Sequence, residues 1–141
     1  MSGRTVADVT IGTYEGNLIA YIEPDELSSG QLIRVARTDN RIYFADVQGN
    51  IYSYDPTKDR MVSLKPTEST HRSREPTILI QRKRRVRVKE LIARAVFPNL
   101  KFSIAQIKRF DGDYLNNSLT NIYVIVRTTV STEVGREESR R

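Results

Sequence analysis

Apolar positions along the first half of the chain come in short blocks separated by turn residues. Residues 5–22 read as two strands: Val6, Val9 and Ile11 are β-branched, and Tyr14-Glu15-Gly16-Asn17 is a turn signal. The run Leu18 to Ile22 suits a buried strand, and Pro24-Asp25 ends it because proline has no ladder donor. A polar loop over 26–30 precedes a third strand, Gln31 to Ala36, with Leu32, Ile33 and Val35 as its apolar positions. Ile42 to Ala45 and Ile51 to Tyr54 predict an aromatic hairpin closed by a glycine turn. Residues 55–74 are poor in apolar side chains and predict a mobile loop. Thr77 to Ile80 predicts one more short strand.

At Val88 the period changes. Val88, Leu91, Ile92, Ala95 and Val96 recur at i, i+3, i+4, i+7 and i+8, the apolar face of a helix. Lys89, Glu90 and Arg94 then fall outside that face, and Pro98 stops the helix. A strand over Ile107 to Phe110 follows, then the turn Asp111-Gly112-Asp113 and an Asn-rich loop. The expected class is α+β: a β-rich region over 1–70, a helix-containing core over 76–130, and a charged, disordered tail over 131–141.

Composition narrows the chemistry. The 141 residues suffice for one compact domain, or a domain with a small satellite, and a hydrophobic share of 38% implies a modest core. No apolar run approaches the roughly 20 residues that span a bilayer, and the first ten residues lack the apolar core of a secretory signal. With no cysteine, disulfides, thiolate zinc sites and cysteine nucleophiles are excluded. The single histidine, His71, sits in a polar loop, where imidazoles are ordinarily solvated.

The net charge of +6 favours a polyanionic partner. Arg82, Lys83, Arg84 and Arg85 are the densest cationic run, and Arg87, Lys89 and Arg94 carry the charge onto the helix. Such a cluster neutralises phosphates; the alternative is a solvated hairpin tip, or an RNA- or protein-contact patch without specificity. Asp111-Gly112-Asp113 lacks the alternating acids and terminal glutamate of a calcium loop. It reads as a turn, with aspartate accepting local hydrogen bonds and glycine supplying positive φ.

The stretch Val86 to Arg127 resembles the core of HNH endonucleases of introns and phage genomes. In that family a helix V-H-R-L-V-A-x-A-F-x-P precedes a strand ending in N-H-x-D-G-(N/D), and an N-N-x-x-x-N-L loop closes the site. Here the helix is Val88-Lys89-Glu90-Leu91-Ile92-Ala93-Arg94-Ala95-Val96-Phe97-Pro98. The strand and turn are Ile107-Lys108-Arg109-Phe110-Asp111-Gly112-Asp113, and the loop is Asn116-Asn117-Ser118-Leu119-Thr120-Asn121-Ile122. Upstream, Tyr43 to Ser53 is similar to the small DNA-binding motif that precedes many phage HNH domains, with Asp46 in place of its serine. The resemblance implies a small ββα core after the β-rich half.

It also implies where a metal-dependent nuclease would keep its base and ligands. Arg109 stands at the general-base position, Lys108 at a neighbouring ligand and Lys89 at the helix histidine. A guanidinium stays protonated and offers no acceptor, so it cannot take a proton from water. Asn121 retains the loop asparagine, while Val130 to Thr132, where a last ligand would stand, contains no histidine. The implied protein is a catalytically inactive, HNH-like binder of double-stranded DNA, encoded by a phage or mobile element. It needs no metal or cofactor and works in the host cytoplasm or the virion. Arg82, Lys83, Arg84, Arg85, Arg87, Lys89, Lys108 and Arg109 would contact nucleic acid, and Asp111, Gly112, Asn116, Asn117 and Asn121 would frame the former site. The competing expectation is an accessory protein that uses the same scaffold to bind a host or virion protein.

Overall fold

A computed structural model of the chain describes residues 8–68, 75–80 and 84–126. His71, Arg82, Lys83, the segment 130–132 and the expected tail lie outside these residues. The fold is α+β, with one α-helix among several antiparallel sheets in the described residues. The first sheet begins with the hairpin of β1 (Thr10–Tyr14) and β2 (Asn17–Tyr21), turned at Glu15 and Gly16, both with positive φ. Its other two strands come from the far end of the sequence, β10 (Ile107–Arg109) and β11 (Ile122–Ile125). Their order is β1-β2-β11-β10, with Val124 opposite Ala20.

The second sheet is a meander of β3 (Leu32–Arg37), β4 (Ile42–Asp46), β5 (Ile51–Asp55) and β6 (Arg60–Leu64). The third joins β7 (Thr67–Glu68), β8 (Pro76–Ile80) and β9 (Arg84–Arg87). Helix α1 (Val88–Val96) starts where β9 ends. The loop expected over 55–74 is therefore partly sheet. Strand β6 pairs along all five residues with β5, from Ile51–Leu64 to Asp55–Arg60. It escapes a hydrophobic pattern because an edge strand with little packed on it need not alternate; Met61 and Val62 are 43% and 45% exposed.

One core draws on all three sheets and the helix. Ala20, Ile107, Ile122 and Val124 from the first sheet meet Ile33, Tyr43, Ala45 and Ile51 from the second. Ile78, Ile80 and Val86 come from the third, and α1 adds Val88, Leu91, Ile92, Ala93 and Val96. Ala93 is fully buried and Ala95, which the sequence pattern selects, only partly so; strands β3, β8, β9, β10 and β11 all contact α1, so its buried arc is wider than a single apolar stripe. The segments 1–70 and 76–130 thus share both a sheet and a core.

The β4–β5 turn docks on the Asn-rich loop. The Leu119 amide donates to the Val47 carbonyl at 3.0 Å, and Leu119 itself is buried. Asp46 organises this turn, accepting from the Asn50 amide at 2.9 Å and the Tyr52 hydroxyl at 2.9 Å. Gly49, at φ +88, lies so close to Asn117 that a Cβ there would land on the Asn117 carbonyl. Gly49→Ala should therefore cost about 2–4 kcal/mol, combining backbone strain with a steric clash. Gly30 has φ +82 and open space around it, so Gly30→Ala should cost only about 1 kcal/mol. Equal shifts of the two urea midpoints would show that the turn does not press on the loop.

Candidate functional site

The site grows from Glu75, which immediately precedes β8. Arg109, on the edge strand β10, reaches it through a bidentate fork: Nη1 donates to Oε2 at 3.1 Å and Nη2 to Oε1 at 2.9 Å. The Asn117 Oδ1 accepts from the same guanidinium, from Nε at 3.1 Å and Nη2 at 2.6 Å. From α1, the Lys89 Nζ lies 3.4 Å from Glu75 Oε2. Side-chain exposure is only 6% for Arg109, 11% for Glu75 and 14% for Lys89. These charges are largely withdrawn from water and are held by one another.

Burial by itself raises the Glu75 carboxyl, but the hydrogen bonds and charges of Arg109 and Lys89 outweigh it and hold the group below its ordinary range. Lys89 moves down as well. Burial disfavours its ammonium most, Glu75 partly restores it, and Arg109 and Arg87 oppose it again.

The loop that presents Asn117 is braced from within. Asp111 Oδ1 accepts from the Asp113 amide and from Asn121 Nδ2, both at 2.9 Å, and Oδ2 accepts from Asn116 Nδ2 at 2.7 Å. Asn121 also accepts from the Asp111 amide at 3.2 Å and donates to the Asn116 carbonyl at 2.9 Å. These donors, the Asp113 amide first, hold the Asp111 carboxyl below its ordinary range. Gly112 takes φ +73 at the tip. The turn is thus closed by N–H donors to aspartate and asparagine, and among the described residues no group of three or more acidic, histidine or cysteine side chains is placed to hold a metal.

Beside the ion pair opens a cleft of about 490 Å³. Arg87, Lys89, Lys108 and Arg109 line it, together with Glu75, Tyr114 and Tyr123. The structure therefore gathers four of the expected nucleic-acid contacts in one place, but not in equivalent roles. Lys108 is exposed and Arg87 is half-exposed. Arg109 is enclosed by Glu75 and Asn117, and Lys89 turns toward Glu75 where the helical pattern points it outward. Arg84 and Arg85 are exposed but outside the cleft; the β8–β9 register places Arg85 on the same hairpin face as Arg87 and Arg84 on the other. Sequence reasoning missed Glu75 altogether. It lies between a polar loop and a proline, and its only signal would have been an acid close to a cationic run.

No protein-family model, curated protein or solved structure matches this chain.

Glu75→Ala leaves the Arg109 guanidinium buried without its counter-ion and should cost roughly 3–5 kcal/mol at pH 7. The pH dependence has a defined sign. The folded carboxyl sits below its ordinary value of 4.5, so its contribution is complete above that pH and fades as pH falls through the folded value. Melting curves of wild type and Glu75→Gln should lie furthest apart near neutrality and converge in acid. Parallel curves from pH 7 to pH 3 would remove Glu75 from this role.

Proposed function

We propose that this chain is a catalytically inactive binder of double-stranded DNA built on an HNH-like core, of the type carried by phages and mobile elements. The observation that carries the reading is the occupancy of the cleft. The positions that the resemblance assigns to the base and to two histidine or ligand sites hold Arg109, Lys89 and Lys108, and the first two are engaged by Glu75. An imidazole there would accept a proton from water and leave room for a divalent cation. A guanidinium forked onto a carboxylate does neither. On this reading the antiparallel pair β10–β11, with its braced loop, would be the two strands of a ββα core; the segment that would supply the last helix begins at residue 127, outside the described residues.

What the cleft retains is positive charge. Arg87 and Lys108 border it, and Glu75 offsets only part of the charge of Arg109 and Lys89. The exposed Arg85 extends the cationic surface along the Arg87 face of the hairpin, and Arg84 adds charge on the other face. A duplex would be held through its phosphates, with affinity governed by counter-ion release. Among the described residues no helix is long and apolar enough to cross a membrane.

Binding to a 20-base-pair duplex should weaken steeply with salt. Replacing Arg84, Arg85 and Arg87 by Ala should flatten the log–log slope by about 2–3, at roughly 0.9 per phosphate contact, and weaken all sequences alike. The Lys108→Ala change should remove about one further contact. A protein with no duplex affinity at low salt, recovered instead with a protein partner after nuclease treatment, would move the reading to the accessory-factor role.

The same reading expects supercoiled plasmid to stay intact with Mg²⁺, Mn²⁺ or Zn²⁺. Nicking that co-elutes with the protein and is lost in Asn121→Ala would refute catalytic inactivity.

A further inference from the structure

The outward face of the β3–β6 sheet carries a second arrangement, built from different elements. In a regular strand, residues 34 and 37 would point to opposite faces, because side chains alternate. Here the β3–β4 register shifts between Arg34 and Ala36, so that Arg34 pairs with Phe44 and Arg37 with Ile42. Phe44 and Ile42 are two residues apart and share a face, so the bulge at Val35 puts both arginines on that face as well. Two rows then cross the sheet. One runs Arg34, Phe44, Tyr52, Ser63, and the other Arg37, Ile42, Tyr54, Met61.

This face is not the core face. Ile33, Tyr43, Ala45 and Ile51 occupy the opposite side and are buried, whereas Ile42, Phe44, Tyr52 and Tyr54 are partly exposed and both arginines are exposed. The aromatics of the first sheet differ in a telling way. Tyr14, Tyr21, Phe110 and Tyr123 pack ring against ring at 4.5–5.9 Å. Among the described residues, Phe44, Tyr52 and Tyr54 take part in no such ring pair. The tyrosine hydroxyls are tethered, Tyr52 to Asp46 at 2.9 Å and Tyr54 to Asp59 at 2.6 Å, which orients the rings.

The arginine edge continues into a groove of about 260 Å³ between β3 and α1, lined by Arg34, Arg37 and Arg94. Arg94 is held there by Phe102, whose ring centroid lies 4.4 Å from its guanidinium, and by Glu90 at 3.7 Å. A cationic edge beside a row of available rings matches the two chemistries of an unpaired strand, phosphates and base faces. Aliphatic and acidic partners would each leave one half of the surface unused.

We propose that this face binds single-stranded nucleic acid, with its backbone along the Arg34–Arg37–Arg94 edge and bases stacked on Phe44, Tyr52 and Tyr54. Asp46 and Asp59 sit at the hydroxyl ends of the tyrosines and keep the strand's phosphates toward β3. This site is separate from the duplex cleft and does not depend on it.

The test is fluorescence anisotropy of a labelled 12-residue oligo(dT) with the full chain at low salt. Phe44→Leu combined with Tyr52→Leu keeps the positions apolar while removing the rings, and should weaken binding by about tenfold or more. Tyr52→Phe keeps the ring but frees it from Asp46, and should weaken binding far less than the leucine pair. Arg34→Gln with Arg37→Gln does not touch the core and should flatten the salt slope by about 1.4, at roughly 0.7 per contact on a single strand. Arg84, Arg85 and Arg87 changed to Ala should leave the loss caused by the leucine pair unchanged. The proposal is overturned if wild type does not bind the oligonucleotide at low salt, which would pass the face to a protein partner. It is equally overturned if the folded leucine pair and the glutamine pair both bind as wild type does.

Discussion

Burial of helix α1 among three small sheets is the constraint on which the fold rests. None of these sheets has a second layer of its own, and a few short strands with one apolar face are marginal in water. The helix supplies the common surface through Val88, Leu91, Ile92, Ala93 and Val96, and strands of all three sheets close on it. That is why the first hairpin, at residues 10–21, pairs with a strand at 122–125: the C-terminal pair β10–β11 needs a neighbour, and β2 brings Ala20 to the same core.

Around this core a line of contacts links the N-terminal meander to the charged site. Gly49 in the β4–β5 turn rests on Asn117, Asn117 accepts from Arg109, Arg109 forks onto Glu75, and Glu75 meets Lys89 on α1. Each contact is short and the side-chain links are sheltered from water, where exchanging one partner for none is costly. The arrangement explains how two cations are held in a sheltered site without unfolding the core. A buried arginine and lysine require an acid, and Glu75 provides it. It also divides the basic residues into two kinds: those engaged in the fold, Arg109 and Lys89, and those facing solvent, among them Arg84, Arg85, Arg87 and Lys108.

Much of the local structure was legible in the sequence. Helix α1 follows from its 3.6-residue period and Pro98, the first hairpin from Glu15-Gly16, and the β4–β5 hairpin from its paired aromatic blocks. The Asp111–Gly112 turn behaves as its chemistry predicts, with aspartate accepting from amides and glycine at positive φ. These features depend on near neighbours, whose steric and hydrogen-bonding preferences are written in consecutive residues. Strand β6 was not legible, because its pairing is with β5 and its own side chains face water.

The sequence by itself determined the helix, most of the strands, the excess of positive charge and the lack of cysteine and of any histidine beyond residue 71. Only the tertiary structure decided what the charges do. Glu75 and Arg109 are 34 residues apart, and no periodicity links them. Their pairing arises because β8 and β10 both border α1, and burial there makes an unpaired charge untenable. The arginines at 34 and 37 carry the same lesson: strand alternation separates them, and a one-residue bulge against β4 brings them to one face.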